Sequence, residues 1–354
     1  MKEKKGNKGE WSEIYVLLKL LGEGKLFAAD ADLNKLEEIF YPIISIFREE
    51  SGQRTEYNIN SKIKIIDSKG NDIIFLPIAK FMDKANELLT EIKKDQKRSF
   101  ACPSLDVFLT SINCNTVAKG GGAKKDIEIK VHDLNTQKKP TLGFSIKSLI
   151  GGRSTLFNPG KTTNFTYELK FKNIPDIEKI NNLEKTSEIL NFIKNNANIK
   201  FLKVDDDNFN NNLILIDSNL PAILSEMLIN KYIYKISDVK KSVEKLEKDN
   251  PLKFPKAKQP FYNYKIKNFL TDSALGMTPA KVWVGKYDAT GGIIIVKKDG
   301  EVVCYHIYNR NEFQEYLLNN TKFEQASTKR YNFGRIYMEN NKYFIKLNLQ
   351  IRFN

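Results

Sequence analysis

The stretch at residues 124–165, KKDIEIKVHDLNTQKKPTLGFSIKSLIGGRSTLFNPGKTTNF, decides how the chain reads. Two runs in it alternate. Asp126, Glu128, Lys130 and His132 are polar, with Ile127, Ile129 and Val131 apolar between them; then Leu142, Phe144 and Ile146 are apolar, separated by Gly143 and Ser145 and followed by Lys147. Period-two alternation marks half-buried strands, and the polar residues 133–140 between them read as a loop. If the strands pair antiparallel, their apolar faces must coincide, because a one-residue slip would turn one set into water. That sets the parity of the register. One allowed register puts Asp126 across from Lys147 and Glu128 across from Ser145, with opposed Cβ atoms ~5 Å apart. One face then carries two carboxylates, a hydroxyl and an ammonium.

That set suits phosphodiester hydrolysis. A hard cation such as Mg²⁺ takes carboxylate oxygens and retains waters. It polarises a phosphoryl oxygen and supplies a nucleophilic water, while a neighbouring lysine orients the water and offsets charge on the phosphate. Acid–lysine pairs are also common on the wet face of hairpins, where they contribute little, so the alternation alone does not separate the two readings.

Composition narrows the partner. The formal net charge of +14 over 354 residues, with a pI near 9.3, favours a polyanion: nucleic acid first, an acidic membrane surface second. Cys102, Cys114 and Cys304 lack metal-ligand spacing, and this sparse, odd count fits a reducing cytoplasm. His132 and His306 are too few to complete a zinc site and read as structural or surface residues. The start MKEKKGNKGEW has no apolar run of a secretory leader after it, and the longest apolar run, near residues 293–296, is far too short to cross a bilayer.

Along the chain, residues 10–21 predict a helix with Trp11, Ile14, Leu17, Leu18 and Leu21 on one stripe. Residues 33–50 predict a second, bent near Pro42. Short strands are expected at 57–59, 63–66 and 73–77, and helices at 78–97 and 104–109. The glycine-rich, basic residues 118–125 could admit a phosphate backbone closely. The turn at 148–155 offers Arg153 and Ser154 to phosphates. Residues 160–162 superficially match the end of a nucleotide-binding loop, but Thr155 stands where that loop requires glycine. A strand follows at 166–171, then helices at 177–183, 187–195 and 221–249, the last broken near Ser237. Residues 205–207 are expected to be a surface turn, and 251–260 a basic, proline-punctuated connector. Beyond Thr278 the chain predicts strands at 282–284, 291–296 and 302–308, a helix at 312–319, and a closing hairpin around Asn340 and Asn341.

An acid on one strand and x-Lys on the next resembles the PD-(D/E)xK nuclease core, and the wording resembles the HpaII family of type II restriction endonucleases. The matching pieces are KGEWSEIYVLLKLL (8–21), ADADLN (29–34), KDIEIKVHD (125–133), GFSIKSLIGGRSTLFN (143–158), TTNF (162–165), YHIYNRNEF (305–313) and LNLQIRF (347–353), an ordered series over nearly the whole chain. The resemblance implies an α+β fold: a PD-(D/E)xK-like mixed sheet flanked by helices, with a helical insertion and a strand-rich C-terminal region that reads DNA. The expected regions are 1–175 (nuclease core), 176–260 (helical) and 261–354 (recognition).

Residue by residue, the resemblance makes Asp126 the metal-binding aspartate and Lys147 the catalytic lysine. Ser145 departs from the pattern, since Asp or Glu usually stands there. A second carboxylate must then come from elsewhere: Glu13 on the first helix first, with Glu128 and Glu168 as alternatives. Gln325, Ser327, Thr328, Lys329 and Arg330, in the polar segment 324–331, are expected to contact bases or phosphates, and Lys161 and Asn164 are further expected DNA contacts. The implied activity is Mg²⁺-dependent cleavage of double-stranded DNA at a short, GC-rich palindrome such as CCGG. Such a site suits a homodimer, or a monomer nicking each strand in turn. The rivals are a non-catalytic basic DNA-binding protein, which Ser145 favours, and a structure-specific repair nuclease.

Overall fold

A computed structural model describes residues 3–95, 97, 99–117, 124–134, 136–183 and 185–354. Most of the glycine-rich segment singled out above, residues 118–123, lies outside them. The fold is mixed α+β. Two compact units share the chain: residues 1–154 with 287–316, and residues 155–286 with 317–354. The division therefore does not follow three consecutive ranges, because residues 287–316 return to the first unit.

In the first unit the elements are β1 (Lys5–Gly6), α1 (Lys8–Glu23), β2 (Lys25–Ala29), β3 (Lys35–Glu50), β4 (Gln53–Ile59), β5 (Ile63–Ile66), β6 (Asp72–Leu76), α2 (Ile78–Lys94), β7 (Phe100–Ala101), α3 (Pro103–Ser111), β8 (Ile127–Val131) and β9 (Thr141–Ser148). The second unit follows with β10 (Thr155–Phe157), β11 (Asn164–Phe171), α4 (Ile177–Asn181), α5 (Thr186–Asn196), β12 (Ala197–Val204), α6 (Asp207–Ile216), α7 (Leu220–Tyr232), α8 (Val239–Asp249) and α9 (Phe261–Leu275). β13 (Gly292–Val296) and β14 (Val302–His306) belong to the first unit; after α10 (Arg310–Asn319) come β15 (Thr321–Phe323), α11 (Thr328–Tyr331), β16 (Ile336–Glu339), β17 (Lys342–Asn348) and β18 (Ile351–Phe353).

Among the described residues the main sheet of the first unit runs β2-β14-β13-β9-β8-β3-β4-β5-β6, and β3 also pairs with β2. The first half of β3 meets β2 and its second half meets β8 and β4, so the pairing order returns on itself. β13 lies parallel to β9, and β14 parallel to β2; the other pairs are antiparallel. α1 begins in a capping box between Asn7 and Glu10 and stops at Gly24, whose φ of 68° suits a residue without Cβ. The predicted stripe Trp11, Ile14, Leu17, Leu18 and Leu21 is fully buried, and Tyr15, Val16 and Leu20 are buried as well, so the helix is packed on most of its circumference.

Residues 33–50 correct the sequence reading: from Lys35 to Glu50 they form strand β3, and no part of them is a bent helix. Ile39, Phe40, Tyr41, Ile43, Ile44, Ile46 and Phe47 are β-branched or aromatic, which favours a pleated surface. Pro42 has no N–H to give, but its carbonyl accepts from the His132 amide at 2.8 Å, and the ladder with β8 shifts register between Ile43 and Ser45. Residues 282–284 are likewise not a strand; Val282 and Val284 are mostly exposed. Three consecutive apolar residues are too short a run to secure a strand partner.

The second unit packs α5–α9 and two sheets, β12-β11-β17-β16 and β10-β18-β15. Phe157, Phe165, Phe209 and Phe269 form an aromatic cluster with ring centroids 5.4–6.2 Å apart. Residues 205–207, expected to be a surface turn, start α6: the Asp206 carboxylate caps it by accepting from the Phe209 amide at 2.9 Å. The closing hairpin turns at Asn340 and Asn341, both with positive φ, as expected. Among the described residues no single helix is long and apolar enough to cross a membrane.

Candidate active site

Asp126, Ser145 and Lys147 converge in the first unit. β8 and β9 pair antiparallel with Ile127 opposite Phe144 and Glu128 opposite Gly143. The Asp126 amide donates to the Phe144 carbonyl at 2.7 Å, which sets Asp126 beside Ser145. The expected partner was Lys147, so the register differs from the one named above by two residues. Its parity is the same, because apolar patterning determines which face a side chain takes, and the ladder keeps this register to the bond from the Val131 amide to the Pro140 carbonyl at 3.1 Å.

The polar face is tied together by hydrogen bonds. Lys147 Nζ donates to Ser145 Oγ at 2.9 Å, and Ser145 Oγ donates to Asp126 Oδ2 at 3.2 Å. The Ile146 amide donates to the same Oδ2 at 2.6 Å. β8 begins only at Ile127, so this carboxylate takes the place of a ladder partner for Ile146. Ser145 is buried at 1% exposure, whereas Lys147 and Asp126 are half-buried. The serine is therefore a bridge between ammonium and carboxylate rather than an exposed ligand.

α1 is stitched to the end of β9, because Ser12 Oγ donates to Ser148 Oγ at 2.8 Å. Glu13 follows on that helix, half-buried. Glu128 is held by two cations, Lys125 at 2.8 Å and Arg54 at 3.1 Å. Glu168 lies in the second unit, 3.6 Å from the Lys342 ammonium. Among the described residues no group of three or more His, Cys, Asp or Glu is arranged to hold a metal ion. Of the alternatives to Glu13 as the second carboxylate, Glu128 is engaged by its neighbouring cations and Glu168 lies in the second unit.

Asp288 escaped the sequence reading, and Lys124 entered it only as part of the basic 118–125 segment. Lys124 is half-buried, and its backbone amide donates to Asp288 Oδ2 at 3.0 Å. Burial pushes its ammonium down to about 8; Lys147 acts in the same direction, and Asp126 and Asp288 oppose it. The alternating pattern starts only at Asp126, and Asp288 arrives from far along the chain, so only the basic character of residues 124–125 hinted at the site.

After β9, Ser154 Oγ donates to the Ser148 carbonyl at 2.7 Å, which shapes the turn, and Arg153 is exposed. In the second unit Lys161 is exposed in a single 3₁₀ turn, Lys161–Thr163. Asn164 is a correction: it is 2% exposed, donates to the Tyr331 carbonyl at 2.9 Å and accepts from Asn348 Nδ2 at 2.7 Å. A buried amide is held where its donors and acceptor are satisfied, so Asn164 belongs to the interior and not to a DNA-facing surface. Gln325, Ser327, Lys329 and Arg330 are exposed and Thr328 half-buried. The Ser327 hydroxyl caps α11 by accepting from the Arg330 amide at 3.3 Å, and the Arg330 guanidinium lies over Tyr331, 5.3 Å from the ring centroid.

The model of the HpaII restriction endonuclease family matches residues 7–353. The chain belongs to that family. It is 45% identical over 352 residues to the type II restriction enzyme HpaII of Haemophilus parainfluenzae, a match that covers 98% of each chain. No solved structure matches it significantly. As a member of the HpaII family it is a type II restriction endonuclease, a site-specific deoxyribonuclease whose partner is DNA.

Proposed function

We propose that this enzyme cuts double-stranded DNA within a short GC-rich palindrome of the CCGG kind, with Mg²⁺, at the site formed by Asp126, Ser145 and Lys147. The observation that carries the reading is the hydrogen-bonded line from Lys147 through Ser145 to Asp126. The first unit reads as a PD-(D/E)xK-like core in which β8 and β9 present the acid and the lysine, and α1 stands against the end of β9.

The donor chemistry fits a hard cation. Mg²⁺ commonly takes one or two carboxylates and fills its remaining positions with water and phosphate oxygens. Asp126 supplies one carboxylate, with its Oδ2 oriented by the Ile146 amide; Glu13, on the helix stitched to β9, is proposed as the second. When bound, the cation polarises the scissile phosphate and lowers the pKa of a water. The Lys147 ammonium orients that water and stabilises negative charge on the phosphate. Ser145 holds the lysine and, being neutral, leaves its positive charge uncancelled at close range.

In the second unit Gln325, Ser327, Thr328, Lys329, Arg330 and Lys161 are proposed as base or phosphate contacts, as are Arg153 and Ser154 in the first. Exposed cations bind the backbone without regard to sequence, while Gln and Arg can read base edges. A two-fold symmetric recognition site suits a homodimer. The deciding experiment is digestion of a fully sequenced, unmethylated plasmid with Mg²⁺, followed by mapping of the ends. Ends confined to CCGG support the reading; discrete ends at another sequence overturn the specificity, and scattered ends overturn the site-specific mechanism.

A further inference from the structure

We propose that Lys231, buried on α7, is a positioning residue for sequence recognition: its side chain fixes the near end of the segment 324–331. The inference rests on the reading of Gln325, Ser327, Thr328, Lys329 and Arg330 as DNA contacts, and deepens it. The segment is short and mostly exposed, with α11 as its one turn of helix. Both of its ends are nevertheless held. At the far end the Tyr331 carbonyl accepts from Asn164 Nδ2 at 2.9 Å. At the near end the Glu324 amide donates to the Gln350 carbonyl at 3.0 Å, and the Glu324 carbonyl accepts from Lys231 Nζ.

Lysine is almost never buried unless its ammonium is paired. Lys231 is 9% exposed, and its hydrogen bonds go to neutral oxygens: the Glu324 carbonyl and, at 3.4 Å, Tyr232 Oη. Its ammonium also lies 4.5 Å from the Tyr232 ring centroid. Tyr232 Oη in turn donates to the Asn348 carbonyl at 3.1 Å, which braces the amine against the end of β17. Burial pushes the Lys231 ammonium down to about 7, and Glu324 opposes that shift. Charged or neutral, the group keeps an N–H for the carbonyl. An apolar side chain would fill the same place on α7 with no polar group to desolvate. What the amine adds is direction. It sets how the chain leaves β15, and so how Gln325 and the side chains of α11 are presented. Contacts of this kind need placement to within about 0.5 Å.

The test uses the whole enzyme with duplexes carrying its cleavage sequence, as mapped by the plasmid digestion, and the same sequence with each base pair exchanged in turn. Affinities in Ca²⁺ are measured beside thermal melting and backbone hydrogen exchange. Lys231→Met is expected to lose about tenfold in discrimination at one base pair or more and to exchange faster at residues 324–331. Its salt dependence of binding should stay as in the wild type, because Lys231 meets no phosphate. Lys231→Arg keeps a donor and should restore most of the discrimination. Wild-type discrimination by Lys231→Met, where Gln325→Ala or Arg330→Ala reduces it, would overturn the proposal and leave the role of the segment intact. An equal loss of affinity for every duplex, matched by a lower melting point, would overturn it as well. If Gln325→Ala, Lys329→Ala and Arg330→Ala all bind every duplex as the wild type does, the reading of the segment fails and this inference with it.

Discussion

The ammonium of Lys147 reaches Asp126 through one hydroxyl: Ser145 Oγ accepts from Lys147 Nζ at 2.9 Å and donates to Asp126 Oδ2 at 3.2 Å. A serine at this place fixes the lysine without neutralising it. Ser145→Ala removes the bridge but keeps the backbone bond from Ile146 to Asp126, so the expected loss in kcat is roughly 10–100-fold with little change in duplex affinity. Asp126→Ala and Lys147→Ala should abolish cleavage and still shift DNA in a gel. Unchanged single-turnover rates for Ser145→Ala would remove the bridge from the mechanism.

Asn164 and Asn348 form a buried amide pair that should govern stability rather than recognition. Asn348 Nδ2 donates to Asn164 Oδ1 and, at 2.8 Å, to the Gly160 carbonyl, with both residues almost without exposure. Removing one partner strands the other, at a cost of about 1–3 kcal/mol. Asn348→Ala and Asn164→Ala should each lower the unfolding free energy by that amount in urea titrations. Equal stability with weakened DNA binding would return Asn164 to the recognition surface.

The exposed pair Lys329 and Arg330 is expected to contact DNA mainly through charge. Each phosphate contact contributes about 0.9 to the slope of log K against log salt. Lys329→Ala should weaken binding to all sequences alike and lower the slope by about one. Arg330→Ala should do the same if it grips phosphate, or relax the preference at a single base pair if it reads guanine. A salt titration with cognate and scrambled duplexes tells the outcomes apart; no change in either slope or specificity would exclude both residues from the interface.

Acid should unfold this protein partly through His306. Burial pushes its imidazole down from 6.5 to about 4, with Asp133 acting the other way, and its ring stacks on Tyr41 at 4.6 Å. The unfolded chain then binds more protons than the folded one between these two values. Stability is therefore full above about pH 6.5 and falls as pH drops towards 4, by at most ~1.4 kcal/mol per pH unit from this group. His306→Phe should flatten that part of the curve. Denaturant titrations between pH 4 and 7 give the comparison, and identical acid slopes would dismiss the role.

Local alternation made the β8–β9 hairpin legible, and with it the face shared by Asp126, Ser145 and Lys147. It could not supply the register, because registers two residues apart keep the same apolar face. The Asn340–Asn341 turn was equally plain, because two residues with positive φ suit asparagine. The 33–50 segment misled because aromatic and β-branched residues arranged around Pro42 also satisfy a helical spacing; only pairing with β2, β8 and β4 separates the alternatives. Lys124 and Asp288 could not be linked in advance, since their bond joins residues 164 positions apart, and no local pattern encodes such a meeting.

The parallel seating of Gly292–Val296 against Thr141–Ser148 has a consequence for the cell that makes this enzyme. While a ribosome is still adding residues before 292, the strand bearing Lys147 has one bare edge, and Asp288 has only just been synthesised. A chain that stops before residue 292 therefore leaves that edge of β9 unpaired, and truncation there is expected to abolish the proposed cleavage.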